Sequence, residues 1–90
     1  MKGMEIKVSG HIIEKGVLGI LYGALKDKET DITDIEIFTS TLKGSWDQRC
    51  PSIMTFKLVS FFDEDLQKSY QNVLELLKEN DCRLIYRKDI

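Results

Sequence analysis

The sequence is poor in the residues that most often carry chemistry. It has one histidine, His11, two cysteines, Cys50 and Cys82, one tryptophan, Trp46, and one proline, Pro51. A lone histidine with no Cys-x-x-Cys beside it lacks the three or four ligands of a zinc site, so no metal is expected. No Gly-x-Ser-x-Gly elbow offers a nucleophile. No Gly-x-Gly-x-x-Gly or Walker-type loop offers a phosphate cradle. The expectation is a non-catalytic protein without cofactors. Two cysteines are too few for a disulfide scaffold, and both are read as reduced thiols in a cytoplasmic protein. No apolar run approaches the roughly 18 residues of a membrane span. The start, Met1 to Glu5, has no apolar signal-peptide core. Thirteen basic against fifteen acidic residues give a net charge of −2, which leaves no basic excess for a nucleic-acid backbone.

What is present is the composition of a globular domain. The 90 residues are 42% apolar and 31% charged, and they make a single domain over 1–90. A chain of this size buries only about 60–65% of its unfolded surface, so pairing with a copy of itself or with a partner would add stability.

Hydrophobic periodicity divides the chain into six elements. Met4 to Ile13 alternates, with Ile6 and Val8 on one face and Glu5, Lys7, Ser9 and His11 on the other. From Val17 the period becomes helical, through Leu18, Ile20, Leu21, Ala24 and Leu25. Gly19 and Gly23 lie four apart in that helix and are read as points of close approach for another element. Asp31 to Thr41 alternates again, with Ile35, Ile37 and Thr39 opposite Asp34, Glu36 and Phe38. A polar loop from Leu42 to Pro51 follows, and then a strand with Met54, Phe56 and Leu58 on one face. Asp63-Glu64-Asp65 opens a second helix where its dipole favours acids, and Leu66, Tyr70, Val73, Leu74 and Leu77 form its apolar stripe. Phe61-Phe62 is read as a hydrophobic staple at its start, in preference to an exposed anchor. Asn80-Asp81 ends the helix, and Cys82 leads into a last strand with Leu84 and Tyr86 opposite Arg83, Ile85 and Arg87. The order strand, helix, strand, strand, helix, strand is the α+β, ferredoxin-like βαββαβ arrangement, a four-stranded antiparallel sheet with two helices on one face. Its other face would carry Phe38 and His11.

Two features point to protein binding. Asp27, Glu29, Asp31, Asp34 and Glu36 put five acids within ten positions. Complementary charge of this kind selects partners and speeds association. Trp46, beside Asp47 in the polar loop, is of the residue type that dominates interface hot spots. The expected partner-binding residues are therefore Asp31, Asp34, Glu36, Trp46 and Asp47.

Ile13-Glu14-Lys15-Gly16-Val17-Leu18-Gly19-Ile20 resembles the strand-to-helix turn of ACT domains, with Lys15 where that family has proline. Asp31-Ile32-Thr33-Asp34-Ile35-Glu36-Ile37 resembles their second strand. The resemblance implies a ferredoxin-like fold that pairs side by side as a homodimer. It also implies a regulatory site for a small amino-acid-type ligand at Gly16, Val17 and Leu18, with Asp31 and Ile32 opposite. The second half, from Pro51 through Asp81 to the final strand, is similar to the closing half of barstar-type nuclease inhibitors. The expectation drawn from all of this is a free-standing inhibitor- or immunity-type protein that occludes a basic partner, a toxin or an enzyme. A regulatory, ligand-binding homodimer is the alternative.

Overall fold

The computed structural model describes residues 1–39 and 51–90. Six elements follow in the expected order: β1 (Lys2–Gly10), α1 (Val17–Leu25), β2 (Thr30–Thr39), β3 (Ser52–Ser60), α2 (Asp63–Glu79) and β4 (Arg83–Asp89). The strands form one sheet in the order β2-β3-β1-β4, and all neighbours are antiparallel. This is the α+β, ferredoxin-like fold.

The core lies between the sheet and the two helices. Met4, Ile6 and Val8 of β1 and Met54, Phe56 and Leu58 of β3 are all sealed from solvent, as period-two alternation on the two central strands requires. Leu66, Tyr70, Val73 and Leu77 of α2 close over them, with Val17, Leu21 and Leu25 of α1. Each such side chain contributes about 1.5–3 kcal/mol by leaving water. Ile12 completes the core from the turn after β1, and Cys82 does so from the residue before β4.

A buried polar strip ties one end together. Ser69 Oγ donates to Thr30 Oγ1 at 2.7 Å, and Thr30 Oγ1 donates to the Asp65 carbonyl at 3.4 Å. Ser60 Oγ donates to the Glu29 carbonyl at 2.8 Å. These bonds join the starts of β2 and α2 to the end of β3. At the other end Gly10, with φ of 156°, lies against Cys82, and a Cβ there would stand 2.9 Å from its Sγ. Only glycine lets β1 and the entry to β4 approach so closely.

Several expectations need correction. His11 lies in the turn after β1 rather than on a strand, with Nδ1 3.3 Å from Glu14 Oε2. Gly19 and Gly23 face solvent, and a Cβ at either would meet nothing within 4 Å, so they make no close approach. Phe61 and Phe62 are 70% and 66% exposed and form no staple, because Leu66 buries itself in the sheet-side core without them. Tyr86 does not share a face with Leu84. The β1–β4 register shifts between Lys7 and Val8, pairing Lys7 with Tyr86 but Val8 with Leu84. The extra residue reverses the alternation along β4.

The glycines supply a stability test. Gly16 is left-handed, with φ of 60° and ψ of 38°, while Gly19 and Gly23 are ordinary helix residues. Gly19→Ala and Gly23→Ala should each stabilise the protein by up to about 1 kcal/mol in urea denaturation. Gly16→Ala should destabilise it by about 1–2 kcal/mol although the space around it is open. Equal effects at the three positions would contradict the geometry.

Candidate functional site: the open face of the sheet

With both helices on one side, no described element covers the other side of the sheet. Registers place its side chains in four rows across the strands. The first row holds Asp31, Val59 and Gly3, with Ile90 bonded to Gly3 by its N–H. The second holds Thr33, Lys57, Glu5 and Lys88, the third Glu36, Thr55, Lys7 and Tyr86, and the fourth Phe38, Ile53, Ser9 and Arg83.

A bulge in β2 completes the second row. Thr33 pairs with Lys57 and Glu36 with Thr55, so Asp34 and Ile35 are accommodated as one residue too many. Asp34 takes a left-handed φ of 52°, which aspartate tolerates better than most residues. The bulge explains why Thr30 and Ile32 are buried at even positions while Ile35 turns toward the core at an odd one. It also brings Asp34 Oδ2 to 3.4 Å from Lys57 Nζ. Glu5 Oε2 accepts the Tyr86 hydroxyl at 2.7 Å and lies 3.7 Å from Lys88 Nζ. The row therefore reads acid, base, acid, base: Asp34, Lys57, Glu5, Lys88.

Glu5 is held below the usual carboxylate range, first by the Tyr86 hydroxyl it accepts and then by Lys88 and Lys57, with partial desolvation opposing them. The same bond pushes the Tyr86 phenol above its ordinary range. Apolar surface adjoins the charges. Phe38 is 78% exposed and, with Ile53, Pro51 and Ser9, lines a shallow depression of about 450 Å³. Glu36, Thr55, Lys57, Glu5 and Asp34 line another of about 440 Å³.

Of the expected partner-binding residues, Asp31, Asp34 and Glu36 stand along the β2 margin of this face. Trp46 and Asp47 lie outside the described residues, as does Cys50. The expected ligand residues are not brought together within one chain. Gly16, Val17 and Leu18 follow the end of β1, whereas Asp31 and Ile32 are level with its start. Val17 and Ile32 are also buried in the core. Sequence reading missed Glu5, Lys57, Lys88 and Tyr86. The alternation of charge at Glu5 and Lys7 and the lysine inside an apolar strand at Lys57 were the available signals. Among the described residues no three His, Cys, Asp or Glu side chains are grouped to hold a metal. No described helix is long and apolar enough to cross a membrane.

No protein-family model matches the sequence, and no curated protein matches it. Solved structures do share its fold. One is a dinuclear metal-binding peptidase of the M20 family from Bacillus subtilis, with a TM-score of 0.57 and 15% identity over 99% of this chain and 25% of that one. Another is a hydantoinase/carbamoylase family amidase from Burkholderia ambifaria, with a TM-score of 0.52 and 8% identity over 99% of this chain and 27% of that one. This chain thus spans about a quarter of the length of these enzymes. At such identities the likeness is one of fold.

Linkage gives the Glu5–Tyr86 bond a pH signature. A carboxylate with a lowered folded-state pKa contributes stability that is complete above its unfolded value, about 4.3, and is lost as pH falls through the lower folded value. Tyr86→Phe should return Glu5 toward the ordinary range in a carboxyl NMR titration and make acid unfolding less steep below about pH 4.3. An unchanged Glu5 titration would show that the phenol does not hold it.

Proposed function

We propose that this chain is a non-catalytic module that binds protein through the open face of its sheet. The observation that carries the reading is Phe38, three-quarters exposed beside Ile53 on a face that neither helix covers. Exposed apolar surface rimmed by charge is the usual mark of an interaction site. Binding of this kind acts by occlusion, as an inhibitor- or immunity-type protein does, and Asp31, Asp34 and Glu36 along β2 supply the steering charge. The fold neighbours support the reading only to the extent that a module of this shape occurs as one part of larger proteins. The Gly16 turn, the ligand site implied by the ACT resemblance, has no comparable supporting surface.

The test is affinity capture with the folded protein as bait. Phe38→Ser with Ile53→Ser should remove a specifically retained protein, and Tyr22→Ser on the helix side should not. Asp31, Asp34 and Glu36 replaced together by Ser should slow association and flatten its dependence on salt. A partner retained equally by all variants would refute the reading.

A further inference from the structure

We propose that the partner on the open face is a second copy of this chain, packed sheet to sheet about a two-fold axis parallel to the strands. This rests on the reading of that face as a protein-binding surface and names a second copy, in place of a different protein to be occluded, as its occupant.

The argument comes from the order of charges in the second row. Two kinds of two-fold axis bring one sheet face onto its own copy with the strands aligned. An axis across the strands lays each strand over itself and reverses the rows: run through the second row it sets Asp34 on Asp34 and Lys57 on Lys57, and run between the second and third rows it sets Asp34 on Glu36. An axis along the strands reverses the strand order, so β2 meets β4 and β3 meets β1. The row acid, base, acid, base then faces base, acid, base, acid. Asp34 meets Lys88 of the partner subunit, and Lys57 meets Glu5 of the partner subunit. Like charges opposed at an interface cost several kcal/mol, and only the second axis makes every contact of this row attractive.

The fourth row agrees with that choice. Phe38 comes opposite Arg83 of the partner subunit, a pairing in which a guanidinium covers an aromatic face. Ile53 comes opposite Ser9 of the partner subunit. Packed sheets lie about 10 Å apart with strands within about 30° of parallel, which keeps these rows in contact. Four strands about 4.8 Å apart and seven to ten residues long present roughly 550 Å² before side-chain relief. That is close to the lower end, about 600 Å² per partner, of stable interfaces. A weak but specific dimer is the expectation.

The pairing of Lys57 with Glu5 across the interface can be tested in trans. Wild type should be dimeric by sedimentation equilibrium between about 1 and 200 μM, a range that resolves a micromolar dissociation constant. Lys57→Glu alone and Glu5→Lys alone each place two like-charge contacts in the row. Each should raise the dissociation constant more than tenfold, with circular dichroism unchanged. Mixing the two variants should restore the dimer as a heterodimer, visible by native mass spectrometry, because every contact in the row becomes complementary again. No effect within one chain produces rescue by mixing. A monomeric wild type, dimers that survive either single change, or a mixture that stays monomeric would each overturn the proposal. If wild type is monomeric while Phe38→Ser with Ile53→Ser still abolishes capture of a different protein, the open face keeps its binding role and only the second copy is refuted. If capture is also unaffected, both readings fall.

Discussion

The constraint on which the structure depends is that its described elements build only two layers. Two helices cover one face of a four-stranded sheet, and no described element covers the other. Apolar residues on the central strands therefore concentrate on one parity, Met4, Ile6 and Val8 with Met54, Phe56 and Leu58. The opposite parity must remain compatible with water and carries Glu5, Lys7, Thr55 and Lys57. The functional character of the molecule lies in how that second parity departs from a plain solvated surface.

It departs in two ways. Apolar groups gather at both ends of the face, Phe38 with Ile53 at one and Val59 with Ile90 at the other. Between them the charges are ordered rather than scattered, and each is paired with a neighbour across a strand. Exposed ion pairs of this sort add little to the stability of one chain, about 0–1 kcal/mol each. Their value lies in specificity, since an alternating row discriminates between orientations of whatever lies on it. The Tyr86 hydroxyl fixes the Glu5 carboxylate within the row, so the pattern is held in place before any partner arrives.

The elements and the core were legible because period two on β1 and β3 and period 3.6 on α2 are uninterrupted. The site was only half legible, and the reason is physical. Alternation predicts faces only as far as the register runs unbroken, and each edge strand contains one register shift. The shift in β2 left a trace, since Ile32 and Ile35 are both apolar at opposite parities with an aspartate between them. The shift in β4 left less, and it put Tyr86 on the face opposite to the expected one. Gly19 and Gly23 misled because small size admits a neighbour without requiring one. Phe61 and Phe62 misled because a staple depends on the path of the chain before the helix, which local pattern does not encode.

The β2 bulge also has a consequence for aggregation. A sheet with two free edges can elongate without limit only if its two edges accept each other in turn. The left-handed turn of the backbone at Asp34 interrupts the line of donors and acceptors on the β2 edge, and the surrounding carboxylates repel an incoming strand. The edge of β4 has no such positive-φ residue and exposes Leu84 and Ile85. One blocked margin suffices to stop a chain of additions after the first. The residue that shapes the open face thereby also works against fibre growth.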